Sequence, residues 1–172
     1  MKTKEVYDIV IRYATLILAA IPNLWIFYFI FTPLTVYPVY FLLKLFFDVL
    51  LIGNLITTGD VSIEIIKPCV AGAAYYLLLI LNLSTKGINT RKRIRMIIIS
   101  FLSLLIINIL RIFFLSLIFL SGSFWFYLTH EIFWYLLSIV FVVGIWFTEV
   151  KLFKIKQVPF YSDIKFLYKN IK

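Results

Sequence analysis

Long apolar runs separated by short polar or proline-bearing breaks dominate the chain. Five runs, at about 9–31, 34–56, 66–85, 96–120 and 130–148, are each long enough, or nearly so, to cross about 30 Å of hydrocarbon as helix. The pattern therefore predicts an all-α fold, an integral membrane helical bundle of about five transmembrane helices. Pro22, in "IPN" at the centre of the first run, removes a backbone donor and predicts a kink or an interruption. The second run opens with Pro33 and Pro38 and continues "FLLKLFFDVLLIGNLI". Lys44 and Asp48 are four residues apart there, on one helix face, and are expected to pair with each other or with another span. Between the second and third runs, Val61, Ile63 and Ile65 alternate with polar residues up to Pro68, a strand-like period of two.

Composition agrees with the pattern. Of 172 residues, 63% are hydrophobic and 15% charged, and the mean hydropathy is +1.04, too little polar surface for a water-soluble globule. The runs leave no stretch able to build a separate soluble domain, so residues 1–172 read as one transmembrane domain. The chain opens basic, as a signal peptide does. Its first apolar run is too long and lacks a small-x-small cleavage site, which marks a retained span.

The formal charge of +9 would suit nucleic acid only on a soluble fold that could present it, and no such partner is expected. The charge sets orientation instead. Lys86, Arg91, Lys92, Arg93 and Arg95 fill one short loop, and Lys151, Lys154, Lys156, Lys165, Lys169 and Lys172 fill the tail 149–172. Both belong on the cytoplasmic side of a multi-pass protein of the cell membrane. Five spans would put the N-terminus outside, against the charges of Lys2, Lys4 and Arg12; a split near Pro22 would put it inside. The tail mixes Lys with Phe, Ile and Leu, which suits adhesion to anionic membrane lipids, and "SGSFWFYLTHE" has the aromatic content of an outer interface.

Few residues could carry chemistry. Cys69, the only cysteine, follows Pro68 at the start of the third run, and a helix N-terminus favours a thiolate. Ala71, Gly72, Ala73 and Ala74 follow it and allow close approach of a backbone or a substrate. Arg111 sits within the fourth run, with Asn108 one turn before it and Ser100 on the same face, a polar stripe directed at the bundle interior. His130, the only histidine, stands beside Glu131 at the outer mouth of the fifth run. The topology places Cys69, Arg111 and His130 toward one side of the membrane, extracytoplasmic: a nucleophile, a charge stabiliser and an acid/base. A structural alternative pairs Arg111 with Asp48 and makes Cys69 a small apolar filler.

In "CVAG", "NILRI" and "THEIFWY" the chain resembles the exosortase/archaeosortase family of membrane cysteine transpeptidases, over roughly residues 60–147. The resemblance implies a catalytic core at 60–147, with Cys69 as nucleophile, Arg111 as essential cation and His130 as general acid/base. Asn108 and Asp48 are supporting candidates. Implied substrates are secreted proteins with a C-terminal sorting signal: a short motif, a hydrophobic span and a basic cluster. The acceptor would be a lipid or another cell-surface nucleophile. No cofactor is implied, and one His and one Cys give no zinc-type spacing. A non-catalytic membrane scaffold or assembly factor is the competing class. A transporter would fit an inverted repeat that the sequence lacks, and no Gly-x-Ser-x-Gly motif or second intramembrane Asp supports another protease chemistry.

Overall fold

The computed structural model describes residues 2–59, 61–133 and 138–171. The fold is mostly helical, with one small sheet. Helices α1 (Lys2–Ala20) and α2 (Trp25–Lys44) lead into strands β1 (Leu50–Ile52), β2 (Leu55–Thr58) and β3 (Val61–Glu64). There follow α3 (Lys67–Val70), α4 (Gly72–Leu83), α5 (Thr90–Leu120), α6 (Phe126–Ile132), α7 (Ser138–Leu152) and α8 (Tyr161–Ile171). Two helices, α2 and α5, are long and apolar enough to cross a membrane, and α3 and α4 together form a shorter apolar segment, Lys67–Leu83.

The first two apolar runs divide differently from the expected 9–31 and 34–56. The chain breaks at Pro22, where Asn23 and Leu24 take left-handed backbone angles, and α2 then runs straight through Pro33 and Pro38. A proline inside a helix frees a carbonyl one turn earlier, and in a membrane helix small backbone adjustments or donors from neighbouring helices make good that loss. Residues 50–56, expected in the second span, fall instead in two strands, β1 and β2, because Gly53 supplies the left-handed angle needed for a two-residue hairpin connection with Asn54. The sheet is an antiparallel meander in the order β1-β2-β3, with Ile56 opposite Ile63 and Leu55 opposite Glu64. The alternation at Val61, Ile63 and Ile65 is the strand β3 and its continuation, with Ile65 buried and its N–H bonded to the Asn54 carbonyl at 3.0 Å. Lys44 ends α2 and lies over the Tyr40 ring, and Asp48 falls in the exposed connection beyond it. The helix face expected to bring Lys44 and Asp48 together therefore does not exist. Of the fifth run, residues 134–137 lie outside the described residues, and the rest is divided between α6 and α7.

Helix α5 is the centre of the bundle and packs against α2, α3, α4, α6 and α7. Aromatic rings fill the join between α2, α4 and α5: Phe31 stacks on Tyr75 at 3.7 Å between ring centroids, and Phe101 meets both edge-on. Gly72 lets α2 approach α4 closely, since a Cβ there would lie 2.7 Å from the Tyr28 ring. Within the small-residue stretch after Cys69, Gly72 thus makes room for Tyr28, while Ala71 and Ala74 line a small cavity beside Asn108 and Arg111.

Side-chain contacts fix the direction of each helix. Asn82 meets Ser100 at 3.2 Å, while Asn108 meets the Cys69 carbonyl at 2.8 Å, so α4 and α5 are antiparallel. Along α5 the two contacts are separated by about 12 Å, at about 1.5 Å per helical residue. At the Asn82 end, Glu149 of α7 is fully buried and accepts from the same Asn82 amide. Arg12 of α1, also buried, donates to the Leu83 carbonyl at 2.6 Å and grips Asp163 of α8 with both terminal nitrogens, at 2.9 and 3.0 Å. That two-toothed geometry is the strong form of an Arg–carboxylate pair. Arg93 caps the end of α4 through the carbonyls of Leu83, at 2.9 Å, and Thr85, at 3.1 Å. The start of the chain, the basic loop and the tail therefore share one end of the bundle, and the sheet and Cys69 share the other.

Gly72→Val is expected to push Tyr28 out of its seat and cost about 1–3 kcal/mol through overpacking. A lowered midpoint of thermal unfolding checks it, and an unchanged midpoint would show that Tyr28 moves aside freely.

Candidate active site

After β3 the chain stays extended at Ile66, and Pro68 in the first turn starts α3 with its fixed backbone angle. The helix lasts a single turn. Ala71 then adopts φ 60° and ψ 39°, a left-handed conformation that costs a residue with a Cβ about 1–2 kcal/mol. Helix α4 restarts from it, with the N–H groups of Ala74 and Tyr75 bonding to the Ala71 carbonyl. Cys69 thus sits on an isolated turn, its own N–H bonded to the Ile66 carbonyl at 2.9 Å.

The break takes carbonyls off the helical ladder, and buried carbonyls need another donor. Asn108 provides it. Its amide donates to the Cys69 carbonyl at 2.8 Å and reaches the Val70 carbonyl at 3.5 Å. Asn108 is therefore a positioning residue, holding the main chain of the thiol-bearing turn from behind.

One turn further along α5, Arg111 is buried on the same stripe as Ser100 and Asn108, as the sequence pattern predicts. Its guanidinium lies within electrostatic range of the Cys69 sulfur. Because α3 is one turn long, its dipole is small, and Arg111 is the stronger local source of positive potential at the thiol. His130 lies on α6, half-buried, with its ring stacked on Phe126 at 5.6 Å. Cys69, Arg111 and His130 line one cavity of about 380 Å³, within the size range of small-molecule and peptide sites. Ile112, Leu115 and Phe119 give it an apolar wall, and Ser62, Ile63 and Glu64 of β3 and the following Ile65 line it together with Cys69.

Three residues far apart in sequence are thus brought together, with Asn108 behind them. Asp48 is not among them: it is exposed in the connection between α2 and β1, away from the cavity lining. Glu131 is exposed on α6 and also off the lining. Ser62 and Glu64 line the cavity without having been singled out in the sequence; their alternation with Val61 and Ile63 marks them as the polar face of a strand, but nothing local ties that strand to Cys69. Among the described residues no group of three His, Cys, Asp or Glu is placed to hold a metal ion. Chemically, the arrangement offers a soft nucleophile, a cation, and an imidazole, whose two ring nitrogens can accept and donate a proton.

Comparison with family models, with curated proteins and with solved structures finds no match for this chain.

Ala71→Gly should relieve the left-handed strain and leave unfolding stability equal or higher, whereas Ala71→Val should lower it by more than about 1 kcal/mol. Asn108→Leu should cost about 1–3 kcal/mol by leaving the Cys69 carbonyl buried without its donor. It should also change the rate at which iodoacetamide alkylates Cys69. Denaturant titration and mass-spectrometric alkylation kinetics measure the two effects.

Proposed function

We propose that this chain is a membrane-embedded cysteine transpeptidase of the exosortase/archaeosortase kind. The observation that carries the reading is the convergence of Cys69, Arg111 and His130, drawn from α3, α5 and α6, on one cavity.

The bundle sits in the cell membrane as a multi-pass protein, with the cavity end extracytoplasmic. Arg12 supports four crossings rather than five, because its bonds to Leu83 and Asp163 hold α1 at the end that carries the basic loop and tail. In this arrangement α1 and α2 together make one outward passage, broken at Pro22. The segments α3–α4, α5 and α6–α7 make the other three, and α1 near Arg12 and α8 near Asp163 share the cytoplasmic face with Arg91 and Arg95. Helix α8 lies along that face, its exposed Ile164 and Tyr168 suited to lipid and its exposed Lys165 to anionic headgroups.

The substrate is a secreted protein ending in a short motif, an apolar span and a basic cluster, whose tail descends beside the bundle. Its scissile carbonyl enters the cavity from the outer leaflet. His130 takes the Cys69 proton, and the thiolate attacks the carbonyl carbon. Negative charge moves to the carbonyl oxygen, where Arg111, too basic to give up a proton, stabilises it. When the C–N bond breaks, His130 returns its proton to the leaving amine, which departs as the new N-terminus of the apolar tail. A thioester on Cys69 remains. An amine on a lipid or cell-surface acceptor, or water, then attacks the thioester and restores the thiol.

The test is co-expression with secreted proteins bearing candidate sorting tails, read as the mass of their C-termini. Cys69→Ala should abolish processing while the protein still accumulates. Arg111→Gln should slow it by about 10²–10³, and His130→Ala by about 10²–10⁴. Continued processing by a stably expressed Cys69→Ala variant would sink the mechanism and favour a scaffold.

A further inference from the structure

The cavity wall beside Cys69 is the edge of a sheet. Ser62, Ile63, Glu64 and Ile65 all line it, although successive strand residues point their side chains to opposite faces. Four consecutive residues can share one cavity only if it runs along the strand's edge rather than under one of its faces. The strand order β1-β2-β3 leaves β3 with a partner on one side only among the described residues.

The register decides which main-chain groups face that open side. The Ile65 N–H bonds to Asn54 of the β2 side, and Ile63 lies opposite Ile56, two residues back along the ladder. In an antiparallel pair, alternate residues direct both their N–H and C=O toward the partner. Val61, Ile63 and Ile65 therefore face β2, and Ser62 and Glu64 turn their N–H and C=O groups outward, along the cavity. Both are exposed. One turn further on, past Pro68, is Cys69.

We infer that the substrate binds as a fourth strand, its extended main chain pairing with Ser62 and Glu64 of β3 so that the following peptide carbonyl reaches Cys69. The inference rests on the transpeptidase reading and supplies its mode of recognition. The occupant is an extended peptide because an exposed strand edge offers alternating donors and acceptors that only another extended main chain matches in pairs. Affinity then comes largely from the main chain. Selectivity falls to the side chains that point at the apolar wall of Ile112, Leu115 and Phe119. The strand also keeps the scissile segment straight, the conformation in which a carbonyl is open to a thiolate on one flank.

The experiment compares labelling of Cys69 in the full chain by N-acetyl-Val-Ile-Ala chloromethyl ketone and by iodoacetamide. The ketone reacts by displacement, the sulfur bonding to the methylene carbon as chloride leaves. A second ketone carries an N-methyl group on its central amide, which removes one strand-pairing donor without touching the protein. Ser62→Pro removes the outward N–H of β3 while sparing the β2 ladder, which uses residues 61, 63 and 65. Strand addition predicts that the rate ratio of ketone to iodoacetamide falls about tenfold for the N-methylated probe, and by a similar factor for the plain ketone in Ser62→Pro. A ketone preferred over iodoacetamide but insensitive to both changes would overturn strand addition and leave the transpeptidase standing. If the wild type neither prefers the ketone nor processes any sorting tail, both fall together.

Discussion

The hydrogen bond from Asn108 to the Cys69 carbonyl is the contact on which the site depends. A helix that stops after one turn and restarts leaves carbonyls with nothing to accept, and inside a bundle those groups must be answered. Asn108 answers them from the neighbouring helix. It thereby fixes the position of α3 against α5, and with it the height of Arg111 relative to the thiol. Without the break at Ala71, residues 67–83 would form one smooth helix, and the Cys69 carbonyl would be spent on its own ladder.

The bundle's two ends divide the labour. At the end with Cys69, main-chain irregularity, a cavity and a sheet edge coincide, and Cys69, Arg111 and His130 line that cavity. At the other end, polar groups are used up in holding helices together: Arg12 with Asp163, Arg93 with the end of α4, and Asn82 with Ser100 and Glu149. Sites that do chemistry need a preformed geometry, and a rigid far end supplies it without occupying the cavity. The aromatic stack of Phe31, Tyr75 and Phe101 sits between the two ends and couples α2 to both.

The chain's hydropathy made the helical character, the break at Pro22, the strand at 61–65 and the interior stripe on α5 legible before any coordinates, because each follows from a local period or a missing donor. Its failures were non-local. Lys44 and Asp48 were expected on one helix, but Gly53 and Asn54 turn the following residues into a hairpin, so α2 ends four residues before Asp48. The role of Asn108 could be suspected from its place on the polar stripe one turn before Arg111 but not identified, since its partner lies 39 residues away and is a carbonyl, which carries no sequence signature. Arg12 was counted as a loose basic residue near the start of the chain, and its partner Asp163 is 151 residues distant. The edge of β3 was hidden for the same reason: alternation marks a strand, not which of its sides is left uncovered.

Arg93 bears on how orientation can be probed in such a chain. The basic loop reads as a set of interchangeable positive charges, but Arg93 is buried and spends its donors on the Leu83, Thr85, Asn82 and Ile88 carbonyls, while Arg91 and Arg95 are exposed. Reversing charge at Arg93 would unwind the end of α4 as well as alter the sidedness signal, and the two effects could not be separated. Within this loop Lys92 donates to the Phe153 carbonyl and Lys86 lies over the Phe166 ring, so charge reversal has its clean handles at Arg91 and Arg95, and the loop's redundancy as an address label is smaller than its count of basic residues implies.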